Sequence, residues 1–88
     1  MSEKGAPSDK LIDYIVRHVI RKPNVLLTPD TPLVSSGLID SFALVDILVK
    51  LEEVTNTRIS AGKVQPKDMD TVNLMLATAK RVGKPRSS

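Results

Sequence analysis

Residues 37–53 read GLIDSFALVDILVKLEE. Gly37 permits a turn, Asp40 and Ser41 place an acid and a hydroxyl at a helix start, and an apolar helix follows from about Ser41 to about Glu53 or Val54. Leu44, Ile47, Leu48 and Leu51 recur at i, i+3, i+4 and i+7, which is enough for one buried stripe. Phe42, Val45 and Val49 are then left on an adjoining face, beside Asp46 and Glu53. A surplus apolar strip rimmed by acids is suited to docking a partner. The competing reading is a central helix wrapped on most sides. Ser41 likewise has two readings. It is either a helix cap, a common role for serine, or a hydroxyl displayed for modification by another enzyme.

Composition narrows the choice. The chain has 88 residues and is 41% hydrophobic, the size of one small domain. Tyr14 and Phe42 are its only aromatics, so the core must come from Leu, Ile, Val, Met and Ala. It has no cysteine, a single histidine at His18 and no Gly-rich phosphate loop. Disulfides, thiolate metal sites and intrinsic thiol chemistry are therefore excluded. Ser41 also lacks the company that a nucleophilic serine needs. No apolar run approaches the roughly 20 residues that span a bilayer, and residues 1–7 lack the apolar centre of a signal peptide. These features predict a cytoplasmic protein with no membrane partner. The net charge is +3, yet between Asp40 and Glu53 four acids face one lysine, Lys50. An acidic face on an otherwise basic molecule results. The bases are not interleaved with aromatics and suit helix ends and tails, so no nucleic-acid partner is expected.

The rest of the chain reads as helices and one long loop. Residues 1–7 form a tail, 8–83 the domain and 84–88 a second tail. Ser8 is the expected cap of a first helix whose stripe is Leu11, Ile12, Ile15, Val16, Val19 and Ile20, with Arg17, Arg21 and Lys22 at its end and Pro23 as its stop. Residues 23–40 form a connection anchored by Val25, Leu26, Leu27, Leu33, Val34, Leu38 and Ile39. Within it Thr28–Leu33 reads as a rigid turn that drops Leu33 into the core. Asn56 and Thr57 end the second helix and Ile59 re-enters the core. Residues 60–67 form a loop, and 66–69 one short helical turn. Asp70 or Thr71 caps a last helix with the stripe Val72, Met75, Leu76, Ala79 and Val82. No segment alternates with period two, so no sheet is expected. The fold class is all-α, a small bundle of three main helices and a short one before the last.

Taken together, Gly37-Leu38-Ile39-Asp40-Ser41-Phe42, the Val45-Asp46 and Leu51-Glu52-Glu53 that follow, the lead from Leu33 and the order of elements resemble the acyl and peptidyl carrier proteins over about residues 8–83. The resemblance implies a four-helix, non-enzymatic carrier whose Ser41, preceded by Asp40, bears 4′-phosphopantetheine taken from coenzyme A. The arm's terminal thiol would hold acyl or aminoacyl groups as thioesters, supplying what a chain without cysteine lacks. The implied partners are a phosphopantetheinyl transferase, an acyl- or aminoacyl-loading ligase or synthase, and a downstream transferase. They would be met through Phe42, Val45, Asp46, Val49 and Glu53, with Asp40, Asp46 and Glu53 facing basic patches. Phe42 stands where the family usually has leucine, Ala43 where an acid is frequent, and Lys50 adds a base. With the positive net charge, these departures point away from a housekeeping fatty-acid role. They suggest a freestanding, monomeric carrier of a specialised pathway in lipid or secondary-metabolite biosynthesis. The alternative is an unmodified helical interaction domain using the Phe42, Val45 and Val49 strip. Ser35 and Ser36 read as loop polar groups, His18 as a surface or half-buried side chain, and Asp68 and Asp70 as turn and cap residues. No metal site is expected.

Overall fold

The structure, a computed structural model, describes residues 6–22 and 26–85. Helix α1 (Pro7–Tyr14) opens on Ala6 in extended backbone, with Pro7 at its start and Asp9 in its first turn. Proline loses no hydrogen bond there, and an acid suits the positive end of the helix dipole. The cap is thus Ala6 rather than Ser8, and it acts through its carbonyl, which accepts from the Lys10 N–H at 3.1 Å. Without a break the chain continues as a wider π-helical segment, Ile15–Ile20. The apolar pairs at 11–12, 15–16 and 19–20 recur every four positions, a period that a helix of about 3.6 residues per turn would rotate off the core. In the wider winding Ile15 is buried and Val19 and Ile20 pack against the core. Arg21 ends the segment, with its N–H on the Val16 carbonyl at 2.8 Å and its own φ at 62°. Pro23 and Val25, the expected stop and anchor, lie outside the described residues.

Helix α2 (Ala43–Thr55) ends on Asn56 in the left-handed conformation, and α3 (Val72–Val82) starts on Thr71. The Thr71 hydroxyl accepts from the Leu74 N–H at 3.0 Å, so Thr71 and not Asp70 is the cap. Two 3₁₀ turns, Ala61–Lys63 and Pro66–Met69, precede α3. Each of the three helices packs on the other two. Leu11, Ile15, Leu33, Ile47, Leu51, Met69, Val72 and Met75 are fully buried between them. The architecture is mostly helical, as expected. One correction is a small sheet: β1 (Thr57–Arg58) pairs antiparallel with β2 (Lys84–Pro85). Two residues per strand are too few to write a period-two pattern. Pro7 and Lys84–Pro85 are thus parts of α1 and of this ladder.

The connection before α2 is held from outside. The Asp70 carboxylate, at the start of α3, accepts the backbone N–H groups of Leu33, Val34 and Ser35 at 3.1, 2.8 and 2.9 Å. It also accepts the Ser35 hydroxyl at 2.8 Å. The Leu33 N–H is shared with the Asp70 carbonyl at 2.7 Å. Upstream, the Thr28 carbonyl accepts from the Thr31 N–H, and Asn73 of α3 holds the same turn through the Pro29 carbonyl and the Asp30 carboxylate. Leu33 and Ile39 are buried, as their anchor role requires. Leu26 and Leu38 are not anchors: they are 92% and 40% exposed. The bonds that fix this loop go to backbone N–H groups and to polar side chains, so an apolar residue in it need not face inward.

Accepting several N–H and O–H donors favours the charged form, and the Ser35 backbone N–H and hydroxyl are the leading causes of an Asp70 pKa below the ordinary 3.8. A group with a lowered folded pKa contributes stability above its unfolded value and loses it as pH falls through the folded one. Asp70→Asn should therefore cost about 1–2 kcal/mol at neutral pH, the low end of charged hydrogen bonding because the site is partly exposed. The difference from wild type should shrink as pH drops below 3.8. Urea melts of both proteins across that acid range check it.

Candidate functional site

Gly37 sits at φ +82°, a region that glycine enters at little cost, and closes a turn onto the Val34 carbonyl at 3.1 Å. The chain then returns, and the Ile39 N–H donates to the Leu33 carbonyl at 3.1 Å with the Ile39 side chain in the core. Asp40 emerges beyond it. Its Oδ1 accepts the Ala43 N–H at 3.0 Å, and its carbonyl accepts the same donor at 3.2 Å. Leu44 and Val45 donate to the Ser41 and Phe42 carbonyls at 3.3 and 3.4 Å, so the first turn is wound tightly, i to i+3. Capping is therefore done by Asp40. Ser41 lies in the entry turn, two residues ahead of the regular helix. Its hydroxyl is exposed and has no hydrogen-bond partner among the described residues, and the cap alternative for Ser41 does not hold. The N–H groups of Ser41 and Phe42 also have no acceptor among the described residues.

Two surfaces meet at Ser41. The first is the exposed face of α2. Phe42, Val45 and Val49 are 86%, 67% and 52% exposed, whereas Ile47 and Leu51 are fully buried and Leu44 and Leu48 partly so. Helix α2 is therefore not wrapped on all sides. Asp46 and Glu53 lie on the same exposed face. The acids differ in freedom: Asp40 is committed to the cap, Glu53 lies 3.4 Å from Lys50, and Asp46 has no partner among the described residues. Glu52 points to another task, its Oε2 accepting the Ile59 N–H at 2.7 Å. The second surface is a cleft of about 180 Å³ between α2 and the 3₁₀ turns. Ser41 stands at it with Leu44, Val45 and Leu48, opposite Val64, Pro66 and Met69. The sequence reading misses the opposite wall, because residues 60–67 carry no helical period. Apolar Val64 in an otherwise polar loop was the available signal.

Other singled-out residues lie apart. Tyr14 and His18 pack ring to ring at 5.1 Å, and the Lys50 ammonium lies 5.6 Å from the Tyr14 ring centre. Ser36 donates to the Pro32 carbonyl at 2.7 Å, and Asp68 accepts the Gln65 N–H at 3.0 Å, both turn roles as expected. Among the described residues no group of three or more His, Cys, Asp or Glu is placed to hold a metal, and no helix is long and apolar enough to cross a membrane.

The family model described as phosphopantetheine attachment site matches residues 10–77. The chain belongs to that family, whose members are carrier domains bearing covalently attached 4′-phosphopantetheine. Comparison with curated proteins and with solved structures found no match.

The exposures make a stability test of α2 direct. Phe42→Ala should shift unfolding free energy by no more than about 0.5 kcal/mol, as surface changes do. Leu51→Ala, which empties a fully buried site, should cost roughly 2–5 kcal/mol. Leu48 is only half-buried and should fall between them. Thermal melts of the three variants check the ranking.

Proposed function

We propose that Ser41 is the attachment residue and that this carrier presents thioester-bound acyl or aminoacyl groups from it. The observation that carries the reading is the uncommitted, exposed Ser41 hydroxyl held at the mouth of α2 by an Asp40 cap. A phosphodiester on Ser41 would lie beside the free N–H groups of Ser41 and Phe42 at the positive end of the helix dipole. When bound, the arm supplies a thiol, which the chain itself does not have. Leu44, Val45, Leu48 and Val64 offer an apolar wall along which the arm or a short acyl group can rest. Asp40 caps the first turn in place of Ser41, which leaves the Ser41 hydroxyl free for modification. The Ser41 proton passes to a base of the transferase, and 3′,5′-adenosine bisphosphate is the leaving group from coenzyme A.

Partners would dock on Phe42, Val45 and Val49, with Asp46 and Glu53 steering basic patches of the transferase, the loading ligase or synthase, and the downstream transferase. Rim charges of this sort mainly set the association rate. Asp40, Asp46 and Glu53 flank the exposed apolar strip of α2 in a chain of net charge +3. That supports a dedicated set of partners and a specialised pathway, with a hydroxy, amino or unusual acyl cargo.

Intact mass after incubation with coenzyme A and a broad-specificity transferase should show one added arm on wild type. Ser41→Ala should fold with unchanged helicity and gain none; a modified alanine variant would overturn the assignment. Asp46→Lys should slow modification severalfold at low salt and flatten its salt dependence, with helicity unchanged. Initial rates at two ionic strengths check this.

A further inference from the structure

At the far end of α2 from Ser41, about 20 Å along a helix of 13 residues, lies a cleft of about 810 Å³. Arg58, Lys63 and Lys84 line it, over a floor of Ile59 and Val82. Arg58 and Lys84 are direct cross-strand partners in the β1–β2 ladder. Directly opposed residues have Cβ atoms only about 4.5–5.5 Å apart, and like charges in that position repel. Neither has an ion-pair partner among the described residues. The ion pairs among the described residues join Arg17 to Asp13, Lys50 to Glu53 and Arg81 to Asp68. The one acid in the cleft, Glu52, has an oxygen committed to the Ile59 N–H. Three cations without an ion-pair partner among the described residues thus line one concavity against a single acid, two of them set opposite each other by strand register.

We propose that this cleft is a second docking surface, which takes an acidic, extended segment of a protein partner. Carboxylates match the Arg58 fork and the two ammonium groups. The other anionic partners fit less well. None of the lining residues is aromatic, so bases of a nucleic acid have nothing to stack on. Ile59 is buried and Val82 half-buried, so no apolar side chain stands out to enter a lipid surface. A small free anion would need converging rigid donors, and these cations sit on long stems around an open cleft. The inference does not rest on phosphopantetheine at Ser41. Its position away from Ser41 lets the chain be held by a tether while α2 engages an enzyme.

Fluorescence anisotropy of a short labelled poly-glutamate peptide, against a labelled oligo-dT of equal charge and vesicles of anionic phospholipid, tests it. The peptide should bind best of the three, and Arg58→Glu and Lys63→Glu should each weaken it roughly tenfold. Asp46→Lys on the other face should not weaken it. Lys63 lies on a separate exposed turn from the ladder, so its variant tests the cleft without altering strand pairing; circular dichroism of each variant checks folding. Tighter binding of the oligonucleotide or the vesicles, no peptide binding, or peptide binding indifferent to Arg58→Glu and Lys63→Glu would overturn the proposal. Arm addition to Ser41 in Lys63→Glu should proceed at the wild-type rate, so failure of either reading is seen separately.

Discussion

A single carboxylate organises the approach to the candidate site. Asp70 takes three successive backbone N–H groups and a hydroxyl from residues 33–35, which lie more than thirty positions earlier in the chain. Without it a loop would have to satisfy those donors with water and would keep its conformational freedom. With it, Leu33 is fixed in the core, and the Leu33 carbonyl is placed to receive the Ile39 N–H. Gly37 makes the reversal between them, Ile39 seals it, and Asp40 emerges aligned to cap α2. The position of Ser41 is therefore a consequence of a bond made at the start of α3.

Helix α2 divides its surface sharply for so small a domain. Ile47 and Leu51 are buried by α1 and α3, Leu44 and Leu48 border a cleft, and Phe42, Val45 and Val49 face water. Leaving an aromatic 86% exposed forgoes about 2 kcal/mol of burial. The same side chains are those an interface uses as anchors. The exposed strip belongs to the proposed partner surface, and the fold is stable without it because the core draws on all three helices and on Leu33, Ile39, Ile59 and Met69 from the connections.

Charge is distributed unevenly around α2. Asp46 and Glu53 lie on the exposed face of α2, and Arg58 and Lys84, without an ion-pair partner among the described residues, oppose each other where β1 meets β2. The net charge of +3 hides this polarity. The proposed partner strip and the proposed cleft thus differ in charge, with Phe42 and the β1–β2 ladder at opposite ends of α2, about 20 Å apart.

The sequence alone determined the helices, the stripe of α2, the surplus of Phe42, Val45 and Val49, and the stretch around Ser41. Each is a local pattern, written within one or two turns of chain and readable from side-chain periodicity and turn chemistry. Even the unbroken every-fourth period of residues 11–20 was visible, although the wider winding of Ile15–Ile20 was not. Tertiary structure decided the rest. Asp70 reads as a cap because a carboxylate before a helix usually is one, and only the packing of the loop against α3 brings it to residues 33–35 instead. Leu26 and Leu38 read as anchors because they are apolar, and they are exposed because the loop is pinned through its backbone. The pairing of Arg58 with Lys84 joins residues 26 positions apart through a two-residue ladder. Such contacts leave no periodic trace, since they depend on where separate elements come to rest and not on the order of residues within any one of them.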